Sequence, residues 1–448
     1  MFNFLAQNYL TRGFWGDEAW TSMISLLPYT QMLKTTAADF HPPGYYTIVG
    51  LVYRFLPPTE INTRLVSLVF YFLTLFMVYK LASYVKGGTF GVLSALVVAL
   101  NPIFFTYAFE ARNYTMFAFV ATGSVFFLIE LSKKFSKARA IAFILFTTLG
   151  MYTHYYMFFI LGAQGIYLLL FDRKIFLKMM LLYVVVGVLY LPWLKALVGQ
   201  LTSVSSSYWI APIDWRHTHY EALLRILGGE QKNDVLNIFS LRDTLFWLSI
   251  SLLGLGVVQH ILRHKFEKPY LLIWLWAVVP FILATLPGLQ VDGFKFPFRP
   301  IFFWRYLIGS SIPLSMVIVH AGLKLPKQMA LVLIGAIILL SAIVDVRTFS
   351  SSPYSFREEY QNKVLEQIET SDDIVTILPS FAEVIYYKDR NGLSNNLIVS
   401  PEGLVQSSGK SLLDTYVENG KVTLGESKGA NFELRRDDNG QIKTINDR

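Results

Sequence analysis

Cysteine is absent from this 448-residue sequence. Its absence excludes disulfides, thiolate metal sites and cysteine nucleophiles. Charge is scarce as well: Asp, Glu, Lys and Arg make up 16% of the residues, against roughly 25% in soluble domains. The N-terminal stretch MFNFLAQNYLTRGF lacks both the basic start and the apolar core of a cleavable signal peptide. No basic stripe runs through a soluble-looking segment, so the net charge of +8 does not read as nucleic-acid binding.

What is abundant is apolar surface. Hydrophobic residues make up 54% of the chain, and the mean hydropathy is +0.44. They collect in continuous runs over 64–84, 88–107, 112–131, 139–153, 155–171, 178–197, 244–262, 269–287, 305–322 and 328–346. Most are long enough to cross ~30 Å of hydrocarbon as helices. The fourth and fifth are short and suit tilted or re-entrant segments. Continuous runs exclude a barrel, whose strands alternate in twos. The fold class is therefore an all-α polytopic membrane protein with about ten transmembrane helices.

Charge sign predicts the orientation. Lys80 and Lys86, then Lys133, Lys134, Lys137 and Arg139, then Arg173, Lys174 and Lys178 lie in short loops of one set. Arg263, Lys265 and Lys268, then Lys324 and Lys327, complete that set. Basic short loops face the cytoplasm. Residues 1–63, with a first loop over 11–63, the long loop 198–243, the loop 288–304 and the tail then all face outward at the plasma membrane.

The tail has ordinary soluble composition and divides the chain into a membrane domain, 1–349, and a small α/β domain, 350–448. In it REEYQNKVLEQIE reads as an amphipathic helix and DDIVTILP as a buried strand ended by proline. SFAEVIYYK reads as a second helix and NLIVS as a second strand. The closing RRDDNGQIKTINDR is polar enough to be disordered.

Several ionisable groups fall at the outer boundary of this apolar body. Asp17 and Glu18 stand together in FWGDEA, and His41 lies in DFHPPGYY. Glu110, Arg112 and Tyr114 lie in FTYAFEARNYTMF, His154 in MYTHYYMFF, and Arg305 and Tyr306 in FFWRYLIGSSIPL, with Lys295 and Arg299 just before. Charges near hydrocarbon are costly, on the order of 2.5–3.5 kcal/mol at the bilayer centre, so each is a functional candidate. Each also has a plainer reading: a solvated hairpin for Glu110 and Arg112, a turn residue for His41, an interfacial histidine for His154. Arg305 with Tyr306 fits an interfacial anchor, and Asp17 with Glu18 an N-cap. Taken together the set suits different work. Carboxylates deprotonate a hydroxyl or hold a divalent cation, arginines fork onto phosphate, and aromatic surfaces suit sugar faces and prenyl chains.

The order WGDEA, HPPGYY, TRLVSLVF, FEARNYTMF, MYTHYYMFF, LPWLKAL, WRYLIGSSIP resembles the GT-C polytopic glycosyltransferases. The likeness is to the glycosyltransferase family 39/83-like group, which is protein mannosyltransferase-like and aminoarabinose transferase-like. It covers roughly residues 12–322. The resemblance implies inverting transfer of a sugar from a polyprenyl-phosphate donor to a lipid, glycan or protein acceptor on the extracytoplasmic face. It makes Asp17 the general base or metal-linked carboxylate, Glu18 its neighbour and Glu110 the second acidic position. Arg112 and Arg305, with Tyr114 and Tyr306 beside them, become donor-phosphate and substrate contacts, and His41 and His154 orienting groups. It leaves room for a divalent cation (Mg or Mn) on Asp17 and Glu110, and implies no organic cofactor. The family's first helix is apparently missing here, since Met1 stands only sixteen residues before Asp17.

Two competing classes make distinct predictions. A transporter or flippase of lipid-linked glycans places its site near the midplane of repeated halves, whereas these charges gather at one face and no repeat is evident. A receptor-like protein with a binding tail leaves the charge cluster unexplained.

Overall fold

The structure is a computed structural model. It describes the chain apart from residues 1–6, 207–209, 211, 231–238, 263–267, 292–293, 296–299, 349–356, 358–359, 361–363, 402–408, 426–431, 437–441 and 445–448. Arg263, Lys265 and Arg299 lie outside the described residues, as do residues 358–359 and 361–363 of the expected helix at 357–369 and the side chain of Lys295; the described end of that stretch, 365–369, is turn and coil rather than the expected helix.

Each of the ten apolar runs is helical, but not all are full spans. Among the described residues seven helices are long and apolar enough to cross a membrane: Glu60–Lys86, Tyr114–Lys133, Arg173–Thr202, Leu241–His260, Lys268–Gly288, Trp304–Leu323 and Lys327–Arg347. The second run is a pair, Gly88–Ala99 and Pro102–Ala108, bent by 67°. Asn101 causes the break: its side chain caps the second helix by accepting from Phe104 N, and Pro102 occupies the first helical turn. Lys137–Thr153 and Met157–Phe171 have 17 and 15 residues. At ~1.5 Å per residue they are shorter than the other apolar helices, so among the described residues seven helices, or eight counting the bent pair, are long enough to cross a membrane on their own. On Arg173–Ser206 the exposed residues Leu177, Leu181, Val184, Val188 and Leu191 form one helical stripe. An apolar stripe of that length without a protein partner faces lipid.

The segments between and beyond the apolar runs are built rather than loose. The first loop folds into three helices, Gly16–Ser25, Tyr29–Ala37 and Gly44–Val52. The stretch expected as a long loop, 198–243, contains the helix Thr218–Gly228, and the loop before residue 304 holds the two-residue strands β1 (Gln290–Val291) and β2 (Phe294–Lys295).

The C-terminal part carries a sheet with strands β3 (Ile374–Ile377), β4 (Leu397–Ser400), β5 (Thr423–Leu424), β6 (Phe432–Arg436) and β7 (Ile442–Thr444). The order is β5-β4-β3-β6-β7, and only the β6–β7 pair is antiparallel. The segment read as disordered thus supplies an edge strand, because backbone pairing to β6 satisfies its polar groups without an apolar sequence. The helices Leu378–Arg390 and Lys410–Glu418 flank the sheet.

Burial falls into two clusters, one within the helical bundle and one shared by the first loop and the C-terminal sheet. In the second, Phe14, Trp20, Tyr45 and Tyr46 pack in the same core as Phe381, Leu412 and Leu434. Polar ties reinforce the seam. Buried Glu60, in the first turn of its long helix, accepts from Tyr387 Oη at 3.0 Å and from Arg390. Phe14 N donates to Tyr387 Oη at 2.7 Å.

Gly44 shows how closely the first loop sits on the bundle. A Cβ there would lie 2.5 Å from the carbonyl oxygen of Tyr152, a backbone atom that cannot swing aside. Gly44→Ala is therefore expected to force the two helices apart at a cost of about 1–3 kcal/mol, read as a lower melting temperature of the detergent-solubilised protein. An unchanged melting temperature would show that this contact is loose.

Candidate active site

The helix Gly16–Ser25 starts at Gly16, so Asp17 and Glu18 lie inside its first turn, and no side chain caps its start. Successive helical residues point about 100° apart, and the two carboxylates accordingly enter different surroundings.

Glu18 is fully buried. Its Oε1 accepts from Arg64 Nε at 2.8 Å and from Ala111 N at 2.8 Å, and its Oε2 accepts from Arg64 Nη2 at 2.6 Å. Arg64, also fully buried, spends its remaining donors on the carbonyls of Leu10 (2.8 Å), Arg12 (2.5 Å) and Gly13 (3.1 Å). This planar fork locks the start of the chain, the first-loop helix and the EAR segment into one body. Burial raises the Glu18 pKa, but the charges of Arg64 and Arg12 and the bonds from Arg64 and Ala111 outweigh it, leaving the carboxyl below its ordinary range. Arg12 Nη2 lies 3.8 Å from both Glu18 and Glu110. Burial, and next the like charge of Arg64, lower the Arg12 pKa to about 10. Glu110 is buried on this same inner side.

Asp17 turns the other way. Its side chain is 36% exposed, and its Oδ2 lies 3.7 Å from Arg112 Nη2 and 3.6 Å from Arg305 Nη1. Arg305 is held among Phe303, Trp304 and Trp15 with ring distances of 4.8, 5.2 and 5.7 Å. Arg112 Nη2 also contacts His41 Nε2 at 3.3 Å. Since a guanidinium only donates, His41 Nε2 accepts, and its proton sits on Nδ1 facing Asp39 Oδ2 at 3.4 Å.

Two cavities meet at His41. One, of about 230 Å³, is polar and bounded by Asp17, Trp20, Asp39, His41 and Arg112. The other, of about 380 Å³, is apolar and bounded by His154, Tyr156, Phe159, Leu197, Ile301 and Tyr306, among others, as well as by His41. Burial, with His41 and Arg112 next, lowers the His154 pKa to about 3, so its imidazole is neutral at pH 7. It stacks on Phe117 at 4.8 Å and meets Tyr306 at 5.3 Å. Gln200 fixes the His41 turn to the long helix: its amide donates to Thr36 O at 2.9 Å and His41 O at 3.4 Å, and its oxygen accepts from Tyr155 Oη.

Of the residues picked from the sequence, Asp17, His41, Arg112 and Arg305 converge. His154 and Tyr306 line the adjoining apolar cavity, and Tyr114 lies buried between Tyr107 and His154 at 4.5 and 6.1 Å. Glu18 and Glu110 stand behind the site on arginines. Sequence reasoning passed over Asp39, Arg12, Trp20 and Arg64. Arg64 carried a signal, being a charge five residues into a 27-residue apolar helix. Asp39 carried one in its place two before His41.

A cation on Asp17 and Glu110 does not fit this donor set. Asp17 is flanked by two guanidiniums, Glu110 is paired with Arg12, and no group of three or more His, Asp or Glu donors gathers among the described residues. Oxygen-rich, charge-compensating cages hold divalent cations; here arginines do the compensating.

The helical bundle with its small α/β cap can be set beside proteins of known family and structure. Residues 40–195 match the family model described as dolichyl-phosphate-mannose-protein mannosyltransferase. The chain is similar to ArnT from Cupriavidus metallidurans in the apo state, with a TM-score of 0.64 at 12% identity over 98% of this chain and 91% of that one. It matches ArnT bound to undecaprenyl phosphate equally well, with a TM-score of 0.64 at 11% identity over 98% and 92%. AglB, the oligosaccharyltransferase of Archaeoglobus fulgidus, in complex with an inhibitory peptide and a dolichol-phosphate, follows at a TM-score of 0.56 and 11% identity over 97% and 68%. No curated protein matches significantly in sequence. The resemblance read from WGDEA and HPPGYY is borne out: the chain is a multi-pass membrane protein of GT-C fold.

Proposed function

We propose that this protein is an inverting glycosyltransferase that moves a sugar from a polyprenyl-phosphate donor to an acceptor on the extracytoplasmic face. The observation that carries the reading is Asp17, a half-open carboxylate with Arg112 and Arg305 within 3.7 Å, at the cavity that meets an apolar one at His41. The prenyl chain lies in the apolar cavity and the phosphate against Arg112, Arg305 and His41. Asp17 takes the proton from the acceptor O–H as its oxygen bonds to the anomeric carbon. The bond from that carbon to the phosphate oxygen breaks, and its electron pair leaves with the lipid phosphate, whose charge the arginines stabilise. One displacement inverts the anomeric centre and needs no carboxylate nucleophile. Glu18, Arg64, Arg12 and Glu110 brace Asp17 from behind. The described relatives, solved with undecaprenyl phosphate and dolichol-phosphate, support a lipid-phosphate donor.

The test is a reconstituted assay with radiolabelled polyprenyl-phosphate sugars and envelope extracts as acceptors. A labelled product released together with free polyprenyl phosphate is expected. Flux of intact donor across the membrane without a covalent product would overturn the assignment in favour of transport.

Orientation has its own test, made simple by the absence of native cysteine. Glu418 and Lys134 are both exposed, the first at the end of a C-terminal helix and the second in a basic loop. In intact cells a membrane-impermeant maleimide is expected to label Glu418→Cys and to spare Lys134→Cys until the membrane is permeabilised. The reverse pattern would invert the topology.

A further inference from the structure

The polar cavity holds a second carboxylate and a roof that the scheme above leaves unused. Asp39 is 3% exposed and lines the cavity, and its hydrogen bond among the described residues is that to His41 Nδ1. Trp20, also buried, lines the same space, and its indole Nε1–H has no acceptor among the described residues. The opposite wall belongs to the C-terminal part: Leu378, Pro379, Phe381 and Ala382 from the start of their helix, and Gly409. Gly409 has φ +100°, and a Cβ there would lie 3.3 Å from Trp20 Cδ1, so the roof closes directly on the indole.

The walls therefore alternate. Asp17, Asp39, His41 and Arg112 form a hydrogen-bonding rim, while Trp20, Leu378 and Phe381 offer apolar faces. A prenyl tail would bury two carboxylates against hydrocarbon, which is costly, and the adjoining apolar cavity serves it better. A volume of about 230 Å³ is below the roughly 300–1,000 Å³ of drug-sized sites, so the space suits one ring rather than an oligosaccharide. A sugar ring has the matching surface, with C–H faces and a rim of hydroxyl donors. A carboxylate accepts two such donors at once, and two carboxylates disfavour an acidic sugar.

We infer that this cavity seats the donor's sugar ring. Asp39 accepts from adjacent hydroxyls of a neutral hexose or pentose, Trp20 covers one face, and Phe381 with Ala382 closes the other. The C-terminal part thereby selects which sugar is transferred. This rests on the lipid-phosphate donor reading above.

The experiment compares affinities of the full-length protein in nanodiscs for farnesyl phosphate and for farnesyl-phosphoryl glucose, mannose, galactose and arabinose. At least one conjugate is expected to bind about tenfold more tightly than farnesyl phosphate. That ratio is expected to fall towards one in Asp39→Asn and in Ala382→Leu, which fills the roof without touching a polar group and keeps the test decisive should the first variant fold poorly. A ratio that survives in either folded variant, or a wild type that gains nothing from any sugar, overturns the inference. A wild type that does not bind farnesyl phosphate at all overturns the donor reading itself.

Discussion

Asp17→Asn is expected to lower the rate of sugar transfer by about 10²–10⁴-fold, the usual contribution of a positioned general base, while leaving the fold intact. The carboxylate is half open to the cavity and makes only long contacts of 3.6 and 3.7 Å with Arg305 and Arg112. Its loss removes little packing, and the melting temperature should hardly move. The two arginines then lose a neutralising neighbour, so farnesyl phosphate is expected to bind at least as tightly to the variant as to the wild type. Slow transfer with retained lipid-phosphate binding is the signature of a base. Wild-type transfer by the variant would remove Asp17 from that role, and a matching loss of binding would make it a binding residue instead.

The neighbouring pair gives the opposite signature. Arg64→Met strands the Glu18 carboxylate and the carbonyls of Leu10, Arg12 and Gly13, all served by one guanidinium. Removing one partner of a buried ion pair costs about 3–5 kcal/mol, so the variant is expected to express poorly and melt well below the wild type. Arg64→Lys should not rescue it, because a lysine has three donors from one point where five are needed in a plane. Thermal unfolding in detergent measures both. A near-wild-type melting temperature for Arg64→Met would show that the fork is dispensable.

The same pair sets an acid limit. The Glu18 carboxyl titrates below its ordinary value of 4.5 in the folded protein. Its contribution to stability is therefore complete above that value and is lost as pH falls through the lower folded pKa. Melting temperature should drop steeply below about pH 4.5 in the wild type, and less steeply in Glu18→Gln, which starts lower and has no such proton to take up. Equal slopes would assign the acid sensitivity elsewhere.

Adjacent carboxylates with such different fates show where sequence reading stops. The length and spacing of the apolar runs determined a polytopic helical bundle by themselves, because hydrocarbon tolerates only segments that satisfy their own backbone. WGDEA, HPPGYY and the EAR segment marked the neighbourhood of the candidate site for a related reason: ionisable groups beside hydrocarbon are costly. Residue spacing within a helix also separates Asp17 from Glu18, but it does not say which of them meets the cavity. That was decided by Arg64 and Ala111, 46 and 93 residues further along the chain. Likewise the tail read as a soluble α/β unit from its own composition, yet only packing showed that Phe381, Ala382 and Gly409 close over Asp17 and Trp20. Local pattern records what each segment needs from its solvent. Which segments satisfy one another is settled by shape and charge complementarity between distant parts of the chain.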